Sequence, residues 1–165
     1  MSNAYVTRMP VGIAGDVSRK GLSKIQPEVM DEDYPITLYG LPVKLSSGKI
    51  RPIASGDTVA NEVIGFLVRP YPFQAATSEA LAAGTPNADQ PGDVMRSGYM
   101  TVKCNSGTAA KGGVVYCRKT ADDLDVLLIG GIEAAADSAK CEAITGAKFE
   151  GTADADGNVE ISYNI

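Results

Sequence analysis

Residues 39–73 read YGLPVKLSSGKIRPIASGDTVANEVIGFLVRPYPF. Apolar residues recur there with a period close to two, as Val43 and Leu45 do around Lys44, and Gly, Pro, Ser and Asp interrupt them every few positions. Alternation sends successive side chains to opposite faces of a strand, so the stretch predicts four or five short strands. Ser46-Ser47-Gly48 supplies one tight turn and Ser55-Gly56-Asp57 another, and residues 63–68 form a strand apolar enough to be buried. Pro52 falls inside a strand pattern, and a residue with no N–H belongs on an edge or at a strand end. Two basic, proline-linked sites punctuate the stretch, Arg51-Pro52 and Arg69-Pro70-Tyr71-Pro72. Proline stiffens the backbone, and the planar arginine fork pairs with carboxylates and stacks on rings, so both are candidate protein contacts. One such site alone reads as a rigid strand exit with a solvated arginine. Two of them, with an arm and a loop beside them, point to an assembly surface.

Upstream, residues 1–33 show no helical or strand period, because Pro10, Gly12, Gly15, Gly21 and Pro27 interrupt them. They read as an extended N-terminal arm that takes order from what it lies on, or is partly disordered. Arg8, Arg19, Lys20 and Lys24 against Asp16 give residues 1–24 a net charge of +3, and Glu28, Asp31, Glu32 and Asp33 follow at once. Each charge by itself reads as solvated surface. Together they describe a basic arm suited to an acidic neighbour.

Downstream, residues 34–165 read as one β-rich domain. Within it, residues 36–38 continue the alternation, and AATSEALAA at 75–83 predicts one or two helical turns. The GTPNADQPGD run at 84–93 predicts an exposed loop. Met100, Val102 and Cys104 alternate with polar neighbours, and residues 114–118 return after a turn, which predicts a hairpin with Cys104 opposite Cys117. Disulfide geometry across a strand pair is unfavourable, so two small buried thiols are the expected outcome. Residues 124–129 read as a strand, and IEAAADSAKCEA at 132–143 predicts a helix from local propensity. The chain closes on a strand over 159–165, introduced by an Asp156-Gly157 turn.

Composition excludes several classes of function. The chain of 165 residues is 44% hydrophobic, enough for one domain with an ordinary core. Its net charge of −5 gives no footprint for nucleic acid. No apolar run approaches membrane-spanning length, and residues 1–20 lack the apolar centre of a signal peptide, so the expected setting is cytosolic. Three widely spaced cysteines match neither a disulfide framework nor a zinc site and are expected reduced.

Histidine is absent, which removes Ser-His and Cys-His nucleophiles together with the commonest general base and metal ligand. Asp154-Ala-Asp156-Gly157-Asn158 resembles a calcium loop only superficially. Glycine comes at the fourth position instead of the sixth, and Ile165 stands where a bidentate carboxylate belongs. Gly107 to Gly113 lacks the order of a phosphate loop and precedes a strand. The residues point to no enzyme, no cofactor and no metal.

Collectively, the turn-and-strand pieces resemble one family in their order. Gly12-Ile-Ala-Gly15-Asp16-Val-Ser-Arg19 looks like its N-terminal element. Gly40-Leu-Pro-Val43-Lys44, Gly48-Lys-Ile50-Arg51-Pro52 and Gly65-Phe-Leu-Val-Arg69-Pro70-Tyr-Pro72 look like its middle, and Gly146-Ala-Lys-Phe149 through Asp156-Gly157-Asn158 to Ile165 like its end. On these motifs the chain resembles the structural cement (decoration) proteins of tailed-phage capsids. The resemblance implies a mainly β protein, a compact sandwich or barrel-like domain with an N-terminal arm and one or two short helices. It further implies binding to the outer surface of an icosahedral head, bridging of neighbouring major capsid proteins, synthesis in the host cytoplasm, and self-association as a homo-dimer or homo-trimer. The contact candidates it carries over are Gly12, Gly15, Asp16 and Arg19 in the arm, with Arg51, Pro52, Arg69, Pro70, Tyr71 and Pro72. An alternative reading is a β-sandwich recognition module binding glycan, as in a tail fibre. It wants exposed Trp or Tyr platforms, whereas Trp is absent and the seven tyrosines are scattered.

Overall fold

The computed structural model describes residues 12–70, 84–88, 90–121 and 127–165. Among these residues lie nine strands: β1 Lys24–Val29, β2 Pro42–Ser46, β3 Lys49–Pro52, β4 Val63–Leu67, β5 Pro91–Ser106, β6 Val114–Arg118, β7 Ile132–Glu133, β8 Cys141–Phe149 and β9 Asn158–Tyr163. A 3-10 turn at Lys20–Leu22 and a single helical turn, α1 Val59–Glu62, complete the described elements. The protein is mainly β, and it contains a barrel.

The organising element is β5, whose 16 residues serve two sheets. Its first half lies between β4 and β1, with Met95 opposite both Phe66 and Ile25. Its second half pairs antiparallel with β9 from Gly98–Tyr163 to Lys103–Asn158, and then runs parallel to β7 at Cys104–Ile132. Continuing from β7 through β6, β8 and β9 returns to β5, so five strands close into a barrel. Closure leaves those strands no free edge. The other sheet runs β3-β2-β4-β5-β1, and a bridge from Met30 to Ile50 of β3 curls it round its own core. Gly98 sits where β5 changes sheets. Its φ is +138°, and a Cβ there would lie 2.1 Å from Ser23 Oγ.

Two apolar clusters follow from this arrangement. Met100, Val102, Val115, Ile132, Val159 and Ile161 fill the barrel, while Met30, Ile36, Leu41, Val43, Ile50 and Val94 fill the curled sheet. Adjacent β5 residues thus serve different cores, Val94 one and Met95 the other. Phe66 of β4 meets Tyr163 of β9 edge-on at 5.2 Å, and the Tyr163 hydroxyl donates to Val63 O at 3.0 Å, which joins the two lobes. α1 contributes fully buried Val59 to the barrel core. Its N–H groups at Val59 and Ala60 donate to Glu142 at 3.2 and 3.3 Å.

The local turns match expectation. Ser47 and Gly48 both have positive φ, 52° and 79°, the type I′ conformation whose twist suits a two-residue hairpin between β2 and β3. Pro52 ends β3, an outer strand, where its missing N–H costs no ladder bond. Asp154 Oδ1 accepts from the N–H groups of Asp156 and Asn158 at 3.0 and 2.8 Å, so its carboxylate shapes the turn before β9.

Longer-range expectations fail in five places. β5 and β6 do not form a hairpin, because β7 lies between them. Cys104 and Cys117 both face Ile132, from opposite edges of β7, and all three cysteines are free thiols. Residues 132–143 are not helical. They supply β7, a covering loop and the start of β8, since the barrel needs a strand at 132–133 and tertiary pairing outweighs alanine propensity. Residues 34–39 form bends in place of a strand, with Pro35 interrupting the backbone and Ile36 tucked into the smaller core. Residues 127–129 also bend, while the rest of that expected strand and the helix expected at 75–83 lie outside the described residues. The expected loop at 84–93 gives its last three residues to β5.

Candidate functional site

Gly12, Gly15, Asp16 and Arg69 come together. The turn at residues 13–16 is tied by Asp16, whose Oδ2 accepts from Ile13 N at 3.1 Å. Gly15 then runs against the exit of β4. Its N–H donates to Thr101 O at 2.8 Å and its carbonyl accepts from Arg69 N at 2.9 Å. A Cβ on Gly15 would meet Tyr39 Cβ at 2.6 Å, at a φ of +93° that already favours glycine. Here the Arg69 guanidinium lies 5.2 Å from the Tyr39 ring centroid, and its Nε donates to Ala14 O at 3.4 Å. Gly12, Ala14, Tyr39 and Arg69 border an open groove of about 590 Å³ that reaches Lys103, Asn105, Leu128 and Asp154 at the barrel end.

Arg19 and Arg51 sit elsewhere and follow the same scheme. Residues 15–18 lie along β5, with Ser18 N donating to Tyr99 O at 3.1 Å and Val17 bridging Met100. Arg19 then reaches across β5, stacks 3.9 Å over the Tyr99 ring, and forks onto Glu160 of β9 at 3.2 and 2.7 Å. Burial alone would raise the Glu160 pKa, but the Arg19 bond, the Ser18 hydroxyl and the Arg19 charge together hold it below the usual carboxylate range. At β3, Arg51 stacks 4.0 Å over exposed Tyr34, and its Nε donates to the Asp31 carboxylate at 2.6 Å. Asp31 is buried, which by itself would raise its pKa, yet the Arg51 bond and the Asp33 N–H leave the carboxyl below its ordinary value. Pro52 is half-buried beside Arg51, and Pro70 is exposed. Tyr71 and Pro72 lie outside the described residues.

Each arginine is thus held over a tyrosine ring by internal bonds. The surface is pre-organised, with the Arg19 side chain still 45% exposed, and a partner would meet rings and guanidinium edges already in place. The stacking residues Tyr34, Tyr39 and Tyr99, and the carboxylates Asp31 and Glu160, were not legible from spacing. Only the nearness of Tyr34 and Tyr39 to the Arg-Pro sites hinted at them.

A second network also escaped sequence reading. Arg118, Glu133 and Cys141 are buried on the outer side of the barrel wall under residues 134–140. Arg118 forks onto Glu133 through Nε and Nη2, Nη2 also reaches Asp137 at 2.9 Å, and the Cys141 thiol donates to Glu133 at 3.2 Å. Burial, and then the Glu133 bond, push the Cys141 thiol up to about 11, and burial likewise raises Cys117. Both therefore stay protonated at neutral pH and make poor nucleophiles. Among the described residues no three His, Cys, Asp or Glu side chains gather to hold a metal ion.

Residues 1–163 match the family model described as XM1 gp53 minor capsid protein. The chain belongs to that family. This member of the XM1 gp53 minor capsid family also resembles a chain from a solved structure entitled "The capsid of Myoviridae Phage XM1", with a TM-score of 0.68 at 16% identity over 99% of this chain and 97% of that one. At such identity the likeness is one of fold. No curated protein matches the sequence. The resemblance to capsid-associated proteins of tailed phages, read from the order of short motifs, is therefore borne out at the level of the family.

Proposed function

We propose that this minor capsid family member is a decoration, or cement, protein that binds the outer surface of an icosahedral phage head. It bridges neighbouring major capsid proteins and stabilises the shell without chemistry of its own. The observation that carries the reading is the match of a capsid-protein family over residues 1–163, in a chain whose surface arginines are pre-stacked on tyrosines. Such rings and guanidinium forks are what protein interfaces select, and holding them in place beforehand lowers the entropy lost on docking. The contact residues in this proposal are Gly12, Gly15, Asp16 and Arg19, with Arg51-Pro52 and Arg69-Pro70-Tyr71-Pro72. Residues 1–33 act as the docking arm, anchored through β1 in the sheet, and residues 34–165 as the body. Many copies on a symmetric shell turn modest contacts into large avidity.

The test is addition of purified protein to expanded capsids of its phage. Saturated capsids should resist heat better than bare ones. Equal melting of saturated and bare capsids would remove the cementing role.

A further inference from the structure

The outward flank of β1 is polar in the electrical sense. At its start, Lys20 and Lys24 are exposed around Leu22, which is 63% exposed; at its end, Glu32 and Asp33 are exposed beside Tyr34. The two ends lie about 20 Å apart, the span of a six-residue strand. Among the described residues none of these four charged side chains has an ion-pair partner, whereas Glu28 between them is taken by Arg96. Ile25, Pro27 and Val29 join the two ends as one exposed face, Val29 being 56% exposed. Exposed apolar residues in series, bounded by uncommitted charges of opposite sign, have the composition of an interface core and rim.

We infer that β1 is a two-fold self-association face, whose occupant is the β1 flank of a second copy of this chain lying antiparallel. That orientation sets the Lys20–Lys24 end of each copy against the Glu32–Asp33 end of the other, so both charge pairs form in one isologous contact. A head-to-tail contact would match one end of each copy and leave the other open. The contact is made by side chains and not by a continuous sheet. Asp31 N–H points away from β5, donating to Ile50 O at 3.1 Å, and Pro27 has the same parity, so the outward edge lacks an N–H at its centre. The inference rests on the proposed decoration role and gives a surface to the self-association that the family resemblance implies.

The experiment uses the full chain and two charge-reversed variants, K20E/K24E and E32K/D33K, read by sedimentation velocity. All four positions are exposed, and far-ultraviolet circular dichroism verifies the fold of each variant. Wild-type protein should be a dimer that dissociates as salt rises. Each variant alone should dimerise at least about tenfold more weakly, because like charges now meet at both rims. An equimolar mixture of the two variants should recover the dimer, since one carries two acidic ends and the other two basic ends. A monomeric wild type, a trimer, or a dimer indifferent to both reversals would overturn the inference. A monomer that still adds to capsids would remove this face and leave the capsid reading intact. Failure to add to capsids by a dimer of the predicted charge dependence would do the reverse.

Discussion

Arg19 and Glu160 form a two-point bond across β5, Nε to Oε1 at 3.2 Å and Nη2 to Oε2 at 2.7 Å, with the guanidinium 3.9 Å over the Tyr99 ring. The pair fastens residues 15–18 to the barrel over more than 140 positions of sequence. Arg19→Ala should loosen that segment while the barrel stays folded. The pair is partly exposed, so the loss of global stability should stay near or under about 1 kcal/mol. Amide exchange should rise at Gly15 and Ser18 and remain slow at Val102 and Ile161. Unchanged exchange at Gly15 would show that the backbone bridge alone holds the segment.

The buried Arg118–Glu133 pair should matter far more. Truncating either partner leaves a charge stranded under residues 134–140, at a cost of about 3–5 kcal/mol. Arg118→Ala should therefore lower the denaturant midpoint sharply. The double variant R118M/E133L should recover much of the loss, because no buried charge remains unpaired. A double variant as unstable as the single one would mean that the pair specifies the β7 position and does more than neutralise itself.

Acid should weaken the fold in a defined direction. Asp31, Glu142 and Glu160 all have carboxyl pKa values below the ordinary range, each pulled down against its own burial by hydrogen bonds to Arg51, Lys119 and Arg19 respectively. Groups with depressed folded pKa contribute stability that is fully present above the unfolded value of about 4 and is lost as pH falls through the folded value. The melting temperature should thus be flat near neutrality and drop below about pH 4, with a shallower drop in D31N/E160Q. A melting temperature that rises on acidification from pH 5 to 3 would contradict these assignments.

Glycine positions should separate by space as well as by φ. Gly98 and Gly48 both have positive φ, but a Cβ on Gly98 would collide with Ser23 while one on Gly48 meets nothing within 4 Å. Gly48→Ala should cost about 1 kcal/mol from backbone strain alone. Gly98→Ala should cost more than about 2 kcal/mol, because β5 must shift against residue 23 at the junction of the two sheets. Thermal melts of the two variants measure the difference directly.

What the sequence revealed was local. The β2–β3 hairpin could be read because Ser47-Gly48 sets its turn and Val43 to Ile53 set its alternation within a dozen residues. The last strand was legible for the same reason, its Asp156-Gly157 turn preceding Val159 and Ile161. The order of the barrel was not. Ile132 and Glu133 sit in an alanine-rich context with helical propensity, and only β5 and β6 on either side make them a strand. The candidate arginines were visible as residue types beside prolines. Their tyrosine partners were not, because Arg19 meets Tyr99 and Glu160, and Arg51 meets Asp31, through folding over long separations.

The proposed decoration role puts this chain on the outside of a phage head, bridging major capsid proteins through its arginine-bearing surface. The decisive experiment is a cryo-electron microscopy reconstruction of expanded capsids saturated with the protein. Added density should lie on the outer surface and span adjacent major capsid subunits, with the Arg51 and Arg69 sites at the contacts. Density confined to the shell interior, or an outer position that touches a single capsid subunit with both sites facing solvent, would contradict it.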